Sequence, residues 1–258
     1  MEVVEPHEVF KTRRDMTKIP KKPEDIFSEF TKDYQEIYGD DLISIVLYGS
    51  GASGDYIQKR SDLNFLIILT EERIRGLHRA FKLVAKWHNR RVATPLFMTR
   101  EYITTSLDVF PLEFMNIKRH YRLVWGEDPL AGITIDREQL RLQCEREIKG
   151  KLLQLRETYL SSEGRKKDLE MIASQSITAL ISIFRGILYL CNREIPDRRG
   201  EIINNAVKEA GLNGGTFLQV LHIKEGKTKF SSHQMQALIE SYIEEVRYFS
   251  HWVDTLKQ

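Results

Sequence analysis

Residues 42–69 read LISIVLYGSGASGDYIQKRSDLNFLIIL, and how this stretch is read decides the fold. Two apolar runs, Leu42 to Tyr48 and Leu63 to Leu69, frame a turn of small residues at Gly49 to Gly54. Each run is rich in Ile, Leu and Val, has strand length and is too short for a buried helix. Both are therefore predicted to be neighbouring core strands. Side chains alternate along a strand, so Asp62 and Asn64 point to the same face. Two polar groups on one face of a hydrophobic strand imply a use for them, and both are candidate site residues.

Gly49-Ser50, followed by eleven residues and then Asp62-Leu63-Asn64, resembles the signature of the nucleotidyltransferase superfamily. There an apolar-Gly-Ser turn precedes Asp-x-Asp or Asp-x-Glu. The resemblance implies that Gly49, Ser50 and Ser53 hold the phosphates of a nucleoside triphosphate. It makes Asp62 and Asn64 the catalytic pair, with Asp62 a ligand of Mg²⁺ and Asn64 a weaker one. The chemistry agrees, because a Gly-Ser turn opening a helix offers backbone N–H groups to phosphate oxygens. Carboxylates on the next strand would hold Mg²⁺ against the same phosphates. Asn64 departs from the pattern, since an amide brings one neutral oxygen where a carboxylate can bridge two metals. The superfamily's third acid comes from a later strand, and the candidate, Arg91 to Met98 (RVATPLFM), contains no Asp or Glu. Thr94 is the polar residue nearest that place, and Glu101 and Glu113 are the acids left to complete the site.

Three regions are expected: an arm over residues 1–22, a nucleotidyltransferase-like domain over 23–130 and a helical bundle over 131–258. The arm is polar, basic towards its end and punctuated by Pro6 and Pro20. Its charges do not alternate with aromatic residues, which argues against a nucleic-acid partner. Pro23 to Tyr38 is predicted to be a helix closed by Gly39. Glu71 to Arg90 is predicted to be another, with Ile74, Leu77, Phe81, Val84 and His88 on its apolar face and a basic stripe read as solvated. Arg91 to Met98 is expected as a third strand, with Pro95 marking an edge or a bulge. Phe110, Phe114 and Met115 are expected beneath the sheet, and Tyr121 to Trp125 as a last short strand.

From Asp136 the pattern becomes one of long helices. Asp136 with Gln139 resembles a capping box, and Leu140, Cys144, Ile148, Leu152, Leu155 and Tyr159 form one seam. Gly164 ends that helix, Leu169 to Cys191 is the central one, and Pro196 stops it. Shorter helices follow at Ile202–Ala210 and Leu218–Ile223, and a last one starts at Ser231 or Ser232. Arg185 needs a partner within its apolar helix, either in the core or as a nucleotide phosphate. The fold class is thus α+β, a small mixed sheet followed by an all-α bundle, the layout of kanamycin-type nucleotidyltransferases.

With 39 Lys plus Arg against 37 Asp plus Glu, the charge balance points to no polyanionic partner. The first residues, MEVVEPHEVFKTRRD, show no apolar leader, and Ile177 to Cys191 is too short and carries Arg185, so no membrane partner is expected. Two cysteines, both on apolar helix faces, suggest reduced thiols and a cytoplasmic setting. The resemblance implies nucleotidyl transfer to a hydroxyl of a small molecule or protein, and a bundle that supports a homodimer. The alternative is a catalytically impaired, nucleotide-binding regulatory or antitoxin-like module. A third reading has Asp62 and Asn64 only satisfying backbone groups beside the turn.

Overall fold

Apolar alternation and strand length place β1 (Leu42–Tyr48) and β2 (Asn64–Leu69) side by side. The computed structural model, which describes residues 19–256, pairs them antiparallel, with Tyr48 opposite Asn64 and Leu42 opposite Leu69. β4 (Tyr121–Gly126) joins β1 on its other side, antiparallel, and β3 (Leu96–Met98) runs parallel to β2 at the edge. The sheet order is β3-β2-β1-β4. It is a small mixed sheet, and the fold class is α+β.

The third strand is shorter than its sequence suggested. Val92 makes a parallel bridge to Leu63, the chain bulges through Pro95, and regular pairing begins only at Leu96. Proline has no N–H for the ladder, so the strand cannot run through it. β4 ends at Gly126, whose φ is +82° and where a Cβ would lie 2.1 Å from the carbonyl oxygen of Ile43. Only glycine fits there.

One core face of the sheet is covered by α1 (Phe27–Tyr38), which a 3₁₀ turn over Pro23–Ile26 introduces and Gly39 closes at φ +54°. Phe30 stacks on Phe65 with ring centroids 4.1 Å apart, and Tyr34 and Tyr38 are buried beside Phe97. The predicted helix over Glu71–Arg90 is instead a 3₁₀ segment, Arg73–Ala80, that kinks at Gly76 and then continues as α3 (Phe81–His88). A 3₁₀ turn has about three residues rather than 3.6, so the phase of the apolar face shifts. Ala80, Leu83 and Trp87 are buried, whereas Phe81, expected inside, is 71% exposed. Trp87 packs on Phe30 and donates its indole N–H to Asp33 Oδ2 at 3.0 Å. The basic stripe is partly paired: Lys86 reaches Glu29 and Asp33, and Arg90 reaches Glu29.

The chain divides into two compact units, one running to Ser106 and resuming at Ile117–Thr134, the other holding Leu107–Asn116 and Ile135 onwards. The first also contains α2 (Ser50–Ser53) and α4 (Arg100–Ser106), and α5 (Pro111–Arg119) begins in the second. Leu112 and Met115 join the core of the helical unit, contrary to the expectation that Met115 packs beneath the sheet. That unit is built from α6 (Arg137–Ser161), α7 (Lys166–Leu190), α8 (Arg199–Glu209), α9 (Gly215–Lys224) and α10 (Ser232–Thr255). Its caps follow the sequence. Asp136 accepts the Gln139 N–H at 2.9 Å, and Ser231 forms a reciprocal box with Gln234. α7 is long and apolar enough to cross a membrane by composition, but Ile177, Leu180, Phe184 and Ile187 are fully buried among the other helices. Gly186 lets α7 pack closely on its neighbours: a Cβ there would lie 2.7 Å from Cys144 Sγ and 2.9 Å from Leu112 Cδ1. Cys144 and Cys191 are both free thiols.

Of the arm expected over residues 1–22, residues 1–18 lie outside the described part. Ile19 and Pro20 are buried, and their carbonyls accept from Gln58 Nε2 at 3.0 Å and the Tyr56 hydroxyl at 2.9 Å.

Candidate functional site

The end of β1, the start of β2 and the start of β4 converge on Gly49. Its φ of +71° with ψ of −146° is a conformation that essentially only glycine adopts. Its N–H donates to the carbonyl of His120 at 3.1 Å, and its own carbonyl accepts from Ala52 and Ser53, closing the single turn of α2. Asn64 lies directly behind it: a Cβ on Gly49 would sit 3.4 Å from Asn64 Nδ2. Gly51 seats α2 on the strands, since a Cβ there would come within 2.9 Å of Leu63 Cδ2 and 3.2 Å of Leu47 Cδ1. Gly49, Ser50 and Asn64 are therefore brought together, with Asp62 two residues from Asn64 on the chain. Having four residues, α2 contributes little macrodipole, so any affinity for phosphate rests on the turn's amides, the Ser50 hydroxyl and the Asn64 amide.

Ser53 is engaged elsewhere. Its hydroxyl donates to Asp55 Oδ2 at 2.9 Å, which places a carboxylate, unremarked in the sequence pattern, beside the turn. Asp62 is half exposed, with Oδ1 2.9 Å from Nη2 of Arg91. That guanidinium also donates through Nη2 to the carbonyl of Arg60 at 2.7 Å and through Nε to that of Ser61 at 3.3 Å. Arg91 itself sits at φ +62°, and its carbonyl accepts the Leu63 N–H at 2.9 Å. The strand that should have supplied a third acid thus supplies a cation, and only the charge run ending at Arg91 hinted at it. Around the turn, burial raises the phenol of Tyr48 above its ordinary range, and that of Tyr56 likewise.

The remaining candidates lie elsewhere. Met98 pairs with Ile68, four residues or roughly 13 Å along β2 from Asn64, and Glu101 lies beyond Met98 on α4. There it lines a cleft of about 320 Å³ with Glu71, Ile74, Phe97 and Tyr102. Thr94 is exposed in the bulge before β3. Glu113 and Arg185 belong to the helical unit. Glu113 accepts from Gln143 Nε2 at 2.7 Å, while Gln143 Oε1 accepts the Leu112 N–H, and Arg185 is partly exposed on α7.

This donor set does not fit a divalent cation. Mg²⁺ wants anionic oxygens in octahedral array, whereas here one carboxylate is already paired with a guanidinium and its neighbour is a neutral amide. Among the described residues, no group of three or more His, Cys, Asp or Glu is placed to hold a metal.

The fold has a solved counterpart. A spectinomycin adenyltransferase of Enterococcus faecialis, solved with ATP and spectinomycin, superposes with a TM-score of 0.54 at 12% identity, over 86% of this chain and 98% of that one. The chain thus shares the α+β fold of that adenyltransferase. No family model and no curated protein matches the chain by sequence.

Proposed function

We propose that this protein binds a nucleoside triphosphate by its phosphates at the Gly49–Ser50 turn and acts as a nucleotide-binding module. The observation that carries the reading is the seating of the Asn64 amide against Gly49. An amide N–H₂ donates hydrogen bonds to phosphate oxygens, which an ionised carboxylate cannot do. The turn adds backbone amides and a hydroxyl to that donor, and the Arg91 cation removes the charge by which Asp62 would repel a polyanion. The buried strands beneath hold these groups rigidly, as a binding site requires.

A second reading is nucleotidyl transfer to a hydroxyl acceptor, favoured by the likeness to a fold solved with ATP and spectinomycin. The two are separated by one pair of measurements. A thermal-shift screen with ATP, GTP, CTP and UTP reads binding, and release of pyrophosphate in the presence of hydroxyl acceptors reads transfer. Binding without pyrophosphate release supports the module. Pyrophosphate release that Asp62→Ala abolishes supports the transferase.

A further inference from the structure

We infer that Arg91 stands where this fold would otherwise carry a divalent cation, so that the site takes its nucleoside phosphate without metal. For its ligand the inference rests on the binding reading above; for its metal part it rests on side-chain geometry alone. Two of the five guanidinium N–H groups of Arg91 donate to carbonyls of the segment that carries Asp62, those of Arg60 and Ser61, and Nη2 is also ion-paired with Asp62 Oδ1 at 2.9 Å. The Arg91 side chain is only 16% exposed, so the guanidinium is fixed rather than hovering in solvent. It cannot deprotonate to make way.

A metal ion at Asp62 would have to displace this cation or sit beside it. Nothing near would repay that: Asn64 brings no charge, and Asp55 is bonded to Ser53. A phosphate chain meets the opposite situation. Beside a bare Asp62 it would be repelled, but with Arg91 on the carboxylate the pair is neutral, and Asn64 and the turn can donate to the phosphate oxygens. The chemistry expected of the metal, neutralising Asp62 and holding it in place, is supplied by a residue from the segment before β3.

The test has two arms, both on the full chain. In the first, Mn²⁺ is titrated into the protein without nucleotide and free Mn²⁺ is followed by electron paramagnetic resonance. Wild type and Asp62→Asn should leave the same free signal; uptake of one Mn²⁺ by wild type that Asp62→Asn loses would overturn the inference. In the second, ATP binding is measured by calorimetry in EDTA and in Mg²⁺. Wild type should bind alike in both, whereas Arg91→Leu should bind about tenfold more weakly in EDTA, because the bare Asp62 carboxylate repels the phosphates, and recover in Mg²⁺ as the freed Asp62 recruits the metal. Wild-type binding that disappears in EDTA would overturn it. Should ATP bind in neither buffer, the nucleotide-binding reading fails, while the Mn²⁺ arm still decides the metal question; should Arg91→Leu not fold, wild type against Asp62→Asn decides it unaided.

Discussion

The guanidinium of Arg91 and the carboxylate of Asp62, 29 residues apart in sequence, meet at 2.9 Å at the entrance to β2. This pair closes the loop after Gly54 and registers it with the edge of the sheet, because the Arg91 carbonyl simultaneously accepts the Leu63 N–H and the Leu63 carbonyl accepts from Ala93. Removing the guanidinium in Arg91→Leu should cost about 1–3 kcal/mol, since it leaves two carbonyls without their charged donor and a carboxylate without its counter-ion. Hydrogen exchange should show the loss locally, with faster exchange at Leu63 and Ala93 and none at Val46 in the centre of β1. Uniform acceleration across the sheet would mean that the pair supports the whole domain rather than the loop.

The Gly49 turn should tolerate no side chain. Gly49→Ala places a Cβ at φ +71°, in a region that costs about 1–3 kcal/mol for other residues. Gly51→Ala presses on Leu63 and Leu47 and should cost a comparable ~1–3 kcal/mol by overpacking. Urea denaturation measures both. A Gly49→Ala variant as stable as wild type would mean that the turn does not hold residue 49 at positive φ.

Trp87 and Phe81 decide the phase of α3. Trp87→Ala should lose about 3–5 kcal/mol as a buried aromatic, together with its bond to Asp33. Phe81→Ser, at a position 71% exposed, should change stability by less than about 0.5 kcal/mol. The reverse ranking would restore the apolar face expected from an unbroken helix.

The two cysteines should react differently. Burial pushes the Cys144 thiol up to about 12, and burial also raises that of Cys191, which is partly exposed. Native protein at pH 8 should therefore be alkylated at Cys191 and not at Cys144, both reacting in denaturant; mass spectrometry reads the sites. The native state keeps the Cys144 proton longer than the unfolded chain, whose thiol titrates near pH 8.5. Its stabilising contribution is complete below that pH and is lost progressively as pH rises towards 12, at about 1.4 kcal/mol per unit. A stability curve that is flat from pH 8.5 to 10 in wild type, and the same in Cys144→Ala, would contradict this.

Much of the fold was legible because its signals are local. The two runs of β1 and β2 carry their own periodicity, Gly39 closes α1, and Asp136 and Ser231 cap the helices they precede. Phe81 misled because a 3₁₀ segment and the kink at Gly76 change the residues per turn, which no helical periodicity reveals. Within the site, the meeting of Gly49 and Asn64 follows from the antiparallel register of two adjacent strands, which sets Tyr48 opposite Asn64. The pairing of Asp62 with Arg91 did not, since it depends on the parallel register between Leu63 and Val92 and on a positive φ at Arg91. Ser53 and Asp55 are neighbours in sequence, yet their hydrogen bond arises only in the left-handed turn that Gly54 makes at φ +89°.

The most direct measurement is the melting temperature of wild type and Asn64→Leu with each of the four nucleoside triphosphates. Saturating one of them at about 100 times its dissociation constant adds about 2.7 kcal/mol to the native state, which raises Tm by roughly 5–10 °C in a chain of this size. Wild type should show such a rise with at least one nucleotide, and folded Asn64→Leu should show none. A wild type whose Tm no nucleotide moves, or an Asn64→Leu variant that responds as wild type does, would contradict it.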